Sequence, residues 1–62
     1  MKKVKLKLVG LDSNAFALMG AWQSQAKREH WAQEEIDQVL TKAQSGDYNN
    51  LLCTILDHSK DI

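Results

Sequence analysis

The side chains most capable of catalysis or metal binding are close together in the sequence, near its end: Cys53, Asp57 and His58. A helix would place Cys53 and Asp57, four residues apart, on one face, whereas His58 would point aside. A nucleophilic cysteine needs a base that a third group orients, and no such trio can be assembled here. Zinc usually takes four ligands from paired cysteines and histidines, and the sequence has one cysteine and two histidines. We therefore predict no catalytic residues and no metal site, with Cys53 packing as a small apolar residue.

The remaining chemical signals are weak. His30 falls at a predicted helix end, where histidine ordinarily caps carbonyl groups or interacts with the helix dipole. Gly10, Gly20 and Gly46 are too widely spaced to form a loop that cradles phosphate. The sequence therefore predicts a protein that is not an enzyme and uses no cofactor.

Length and charge narrow the class of protein further. The chain has 62 residues, 44% of them hydrophobic, and a formal net charge of zero. A neutral chain of this composition is neither a polyanion-coating protein driven by bulk charge nor a disordered acidic tail. A core this small supplies only roughly 3–5 kcal/mol of stability. Because neither a disulfide nor a metal is expected to add to it, we predict oligomerisation or binding to a partner.

The expected location is the cytoplasm. The sequence has no apolar run long enough to span a membrane. Its N-terminal lysines resemble the start of a signal peptide, but Lys5 and Lys7 interrupt the apolar stretch that should follow. Cys53 is then expected to remain reduced.

Lysine and aliphatic residues alternate along the start of the chain, and this period of two predicts a strand over about residues 3–9. Apolar residues at helical spacing predict three helices, over about residues 13–29, 33–44 and 48–58. The tail that follows is expected to be frayed. The predicted fold class is α+β, a single small domain over residues 1–62 with the order β-α-α-α.

Helix boundaries are predicted from capping residues. Asp12 is expected to cap the first helix, with Phe16 four positions on in a hydrophobic staple. Ala32 is expected at the cap position of the second helix, although alanine is a poor cap. Gly46 suits a left-handed residue after that helix, and Asp47 suits the cap of the third.

A single strand leaves backbone groups unpaired along both edges, and no other segment of this sequence alternates with period two. We therefore expect the strand to pair with its counterpart in a homodimer, where its apolar side chains form the contact: Val4, Leu6 and Leu8. Addition of the strand to a different protein, or an extended arm lying across the helices, are the alternatives.

Three lysines would share the other face of the strand: Lys3, Lys5 and Lys7. Lysines at a strand edge commonly prevent aggregation and need no ligand. In a dimer they could instead bind nucleic acid, because a strand followed by two helices is the order of ribbon-helix-helix repressors. The strand lacks the Arg, Asn and Gln that read bases, and Glu34 and Glu35 would repel phosphate at the start of the second helix.

Trp22, Trp31 and Tyr48 are the candidate partner-binding aromatics. Gly20 lies inside a predicted helix, where it costs about 1 kcal/mol relative to alanine. It indicates either a closely packed neighbour or a groove for a ligand beside Trp22. We therefore expect a small non-enzymatic binding, regulatory or adaptor module that acts through protein–protein interaction. The alternative is a ribbon-helix-helix-like DNA-binding regulator that uses the lysine face.

Residues 4–12 (VKLKLVGLD), 14–21 (NAFALMGA) and 45–49 (SGDYN) with Leu51 and Leu52 resemble a group of small bacterial proteins of uncharacterised function. The resemblance covers most of the chain, and Ser13 stands where it leads us to expect glycine. It implies a bacterial or mobile-element origin and attaches no activity, because these segments are core and turn residues.

Overall fold

The computed structural model describes residues 2–7, 10 and 12–60. The architecture is α+β with three helices, as predicted. The elements, in chain order, are β1 (Val4–Lys5), α1 (Ala15–Arg28), α2 (Gln33–Ala43), α3 (Tyr48–Asp57) and β2 (Ser59–Lys60). None of the helices in the described part of the chain is long and apolar enough to cross a membrane.

The second strand corrects the prediction of a frayed tail at residues 59 and 60; residues 61 and 62 lie outside the described part of the chain. β1 and β2 form a parallel two-stranded sheet in which Val4 lies opposite Ser59 and Lys5 lies opposite Lys60. The Val4 N–H donates to the carbonyl oxygen of His58 at 2.9 Å, and the Leu6 N–H donates to that of Lys60 at 3.1 Å. The chain therefore supplies a strand partner of its own. Two residues are too few for a period of two to reveal them in the sequence.

The start of α1 also differs from the prediction. Asn14, and not Asp12, is the N-cap: its Oδ1 accepts from the backbone N–H of Phe16 at 2.9 Å. Asp12 lies one step earlier, where its Oδ1 accepts from the Asn14 N–H in an Asx turn. This shift places Phe16 in the first turn, 81% exposed, and not at the staple position.

α1 ends in a Schellman motif. The His30 N–H donates to the Lys27 carbonyl oxygen, and the Trp31 N–H donates to that of Ala26. His30 has a φ of 63°, the left-handed conformation for which glycine is the usual residue. The motif turns the chain so that Trp31 and Ala26 both reach the core.

α2 begins at the predicted cap, Ala32. An alanine side chain accepts no hydrogen bond, but the Glu35 carboxylate reaches back and accepts from the Ala32 N–H at 3.0 Å. This is the glutamate half of a capping box. Ile36, four residues after Ala32, is buried in the core.

Gly46 does not adopt the predicted left-handed conformation between α2 and α3. A Cβ at this position would lie 3.0 Å from the Cβ of Asn50, so close approach favours glycine here. The Asn50 Nδ2 donates to the Lys42 carbonyl oxygen at 2.9 Å, which satisfies the end of α2. Asp47 caps α3 as predicted, accepting from the Asn50 N–H at 3.0 Å.

The largest fully buried side chains come one each from α1, α2, α3 and β1: Trp22, Ile36, Ile55 and Val4. The Trp22 Nε1–H donates to the His58 carbonyl oxygen at 3.1 Å, at the end of α3. The Tyr48 hydroxyl, at the start of α3, donates to the Ser13 carbonyl oxygen just before α1. α1 and α3 therefore run side by side in the same direction.

Replacing His30 with glycine should stabilise the fold by about 1 kcal/mol, because the left-handed backbone strains a residue that carries a Cβ. His30 is exposed, so little packing is lost. Denaturant unfolding of His30→Gly measures the change. Lys27→Gly, inside the last turn of α1, is the control and should destabilise by about 1 kcal/mol. Destabilisation by both variants would contradict the assignment of strain to His30.

Candidate functional site

The structure separates the three candidate aromatics. Trp22 is fully buried and Trp31 is 8% exposed, with their rings edge to face at 5.2 Å. Both are therefore core residues, which corrects the expectation that they contact a partner. Tyr48 is 44% exposed at the start of α3 and remains available.

Phe16, which was expected to pack in a hydrophobic staple, is instead an exposed aromatic. Gly20 and Ser24 follow it at intervals of four residues and are also exposed, so the three residues line one side of α1. We call this surface the α1 face. A Cβ on Gly20 would meet no atom within 4 Å, so packing among the described residues does not require glycine there. Asn14 is as good a cap as Asp12. A helix that starts after Asn14 has Phe16 in its first turn and not at the staple position, so Asn14 was the signal in the sequence.

The apolar side of the strand is not free either. Val4 is fully buried and Leu6 is nearly so, and both belong to the chain's own core. Their side chains therefore pack against the helices of the same chain, which corrects their assignment as dimer contacts. Leu8, the third predicted contact, lies outside the described residues.

Both edges of the strand are occupied at its centre. One edge bonds to β2, and on the other the Lys5 N–H donates to the Glu29 carboxylate at 2.7 Å. The Gln25 side-chain amide donates to the same carboxylate oxygen at 2.9 Å. The Gln25 amide and then the Lys5 N–H hold the pKa of the Glu29 carboxyl below its ordinary value, since both hydrogen bonds favour the charged form.

Lys2, at the start of the N-terminal segment that contains β1, also contacts the helices. Its ammonium group lies 3.0 Å from a Glu35 carboxylate oxygen and 4.5 Å from the centre of the Trp31 ring. The hydrogen bond from Lys2, and then that from the Ala32 N–H, lower the pKa of the Glu35 carboxyl. One carboxylate thus holds both the start of α2 and the N-terminal segment.

The predicted lysine face exists and is larger than expected. Lys3, Lys5 and Lys7 are exposed, while Val4 and Leu6 between them are buried. β2 adds Lys60, which is exposed directly opposite Lys5 in the sheet. Lys60 was not predicted on this face because nothing in the sequence of residues 59–62 indicates a strand.

Cys53 and His58, two residues whose side chains could take part in chemistry, lie in different surroundings on α3 and at its end. Cys53 is free and exposed on α3. His58 is half-buried, with Nδ1 2.8 Å from the Thr54 carbonyl oxygen, so it caps α3. No group of three or more His, Cys, Asp or Glu side chains among the described residues is arranged to hold a metal ion.

Comparison with protein-family models, with curated proteins and with solved structures gave no match to this chain. Two surfaces are the candidate binding sites, the α1 face and the lysine-bearing side of the sheet.

Acid should destabilise the fold through Glu29 and Glu35. Because their pKa values are lowered in the folded state, their contribution is complete above the unfolded-state pKa and is lost as the pH falls through the folded-state pKa. Thermal unfolding at neutral pH and at about pH 3 measures the loss. The loss should shrink in the double variant Glu29→Gln/Glu35→Gln. Glu34→Gln, which removes a charge from the same helix end, should leave it unchanged; an equal loss in all three proteins would refute the assignment.

Proposed function

We propose that the protein is a small non-enzymatic binding module, regulatory or adaptor in role, that acts through protein–protein interaction at the α1 face. The observation that carries the proposal is Phe16, which is 81% exposed although it belongs to a regular helix. Exposed aromatic side chains are typical anchors of protein interfaces because they bury a large area at small entropic cost. The exposed, free Cys53 suits a cytoplasmic protein, and that location is part of the proposal.

Charge supports the same surface. Residues 15–26 of α1 include no charged side chain, although 26% of the residues in the chain are charged. The centres of protein interfaces are depleted in charged residues, because burying an unpaired charge is costly. Another protein can therefore cover Phe16, Gly20 and Ser24 without desolvating a charge from residues 15–26; the charges of α1 lie in its last turn, at Lys27 and Arg28.

The partner that this surface fits is a second copy of the chain. Phe16 is a large projecting side chain, and Gly20, four residues away, leaves an open space on the same side of α1. In a two-fold contact each residue meets its complement on the other copy, so two α1 helices crossing in opposite directions would place each Phe16 on the partner's Gly20. The core of a 62-residue chain supplies little stability, and such a contact would add to it.

This homodimer differs from the one expected from the strand. Pairing of two β1 strands at Lys5 would have to displace the Glu29 carboxylate from the Lys5 N–H. It would also gain nothing from Val4 and Leu6, which are already buried. These contacts favour α1 over β1 as the dimer surface.

Replacing Phe16 with serine should weaken the dimer roughly a hundredfold or more, since each of two phenylalanines loses about 1.5 kcal/mol or more of apolar burial. Light scattering behind a sizing column, at several protein concentrations, measures the dissociation constant. Leu56→Ser removes another exposed apolar side chain, on α3, and is the matched control. A chain that is monomeric at every concentration would refute the homodimer, and equal weakening by both variants would refute the α1 face.

Replacing Gly20 with alanine should have two opposite effects. The unfolding free energy of the monomer, measured at a concentration where it predominates, should rise by up to about 1 kcal/mol, because alanine favours helix and meets no atom. Dimer dissociation, measured by sedimentation, should increase because the added methyl group occupies the space assigned to Phe16 of the other copy. If the dimer is instead unaffected, the two residues are not in contact.

A further inference from the structure

The solvent side of the sheet carries four exposed lysines, Lys3, Lys5, Lys7 and Lys60, which we call the lysine face. None of the four ammonium groups lies within ion-pair distance of a carboxylate among the described residues. Lys2 is different, because Glu35 already neutralises it. The chain is neutral overall, so this face is a local concentration of positive charge.

This arrangement opposes the stability of the sheet. Lys5 and Lys60 occupy directly opposite positions, where like charges are destabilising. Lys5 is not needed to protect an open strand edge from aggregation. Its backbone N–H is already bonded to Glu29, and the other edge of β1 is paired with β2. A local feature that lowers stability without a packing gain is typical of a functional surface.

We propose that the lysine face binds the phosphate backbone of nucleic acid, without reading base sequence. Successive lysines on one side of a strand are about 6.6 Å apart, so the face is a short linear array of cations. Nucleic acid presents a regular line of phosphates that lysines neutralise with release of counterions. Protein interfaces, by contrast, are depleted in lysine. Lysine is a flexible point charge without the rigid donor fork of arginine or the amide of asparagine and glutamine, so the face suits phosphate contacts better than base reading.

Acidic groups near the face limit its strength. The Glu29 carboxylate lies beside Lys5, where it accepts from the backbone N–H. Asp61 follows Lys60 in the sequence and lies outside the described residues. The lysine face shares no residue with the α1 face, so binding at one surface does not require the other.

The test titrates a short mixed-sequence duplex DNA with the unmodified chain and two double variants over a range of salt concentrations. Lys5→Gln/Lys60→Gln should weaken binding by about eightfold per lysine near 0.1 M salt and lower the slope of log affinity against log salt by about 0.9 per lysine. Lys27→Gln/Lys42→Gln removes the same charge from exposed positions on α1 and α2, and should leave most of the affinity and the slope. Thermal unfolding checks the fold, and the midpoint of Lys5→Gln/Lys60→Gln should not fall, since the like-charged pair is gone.

Each other outcome overturns the proposal. Absence of saturable binding at low salt removes nucleic acid as the ligand. Equal weakening by the two double variants indicates attraction without a site. Polyglutamate is titrated in parallel, and binding to it in place of the duplex identifies an acidic polypeptide as the partner.

Discussion

The His58 carbonyl oxygen joins the parts of this fold. It accepts from the Val4 N–H at 2.9 Å and from the Trp22 indole N–H at 3.1 Å, so the sheet, α3 and the core meet at one atom. Trp22 is fully buried, and its N–H would be costly to leave without an acceptor. Because α3 ends at Asp57, its next carbonyl group is available to serve both donors.

The position of β1 follows from these two hydrogen bonds to the His58 carbonyl oxygen. With Val4 held at the end of α3, the chain continues beside β2, and Glu29 closes the opposite edge at Lys5. The apolar residues of the strand then face the core, and its lysines, on the opposite side, face solvent. A pattern that was open to several interpretations in the sequence therefore becomes a sheet with one apolar and one basic side. The same constraint makes the strand a poor dimer surface and favours α1 for the contact we propose with another copy.

Local interactions made much of the fold predictable. Apolar spacing identified the three helices, and Ala32 and Asp47 were recognised as caps because a cap acts on residues two or three positions away. The predicted start of α1 was wrong, since Asp12 and Asn14 are both suitable caps and the structure uses Asn14, which leaves Phe16 exposed. The candidate surfaces were partly foreseen: the three strand lysines and Tyr48 are exposed, whereas the tryptophans, the most hydrophobic of the candidates, were needed by the core.

The sequence by itself determined the class of fold, the helices and the alternation that separates Val4 and Leu6 from the lysines. These features depend on residues within about four positions of one another, and their periods can be counted. The tertiary structure decided that β1 pairs with Ser59–Lys60, that Glu29 closes its other edge, and that Lys60 joins the basic side. Those contacts connect residues far apart in the chain, and a strand of two residues has no period of its own. Val4 and His58 meet beside the buried Trp22, a contact that no local pattern in the sequence indicates.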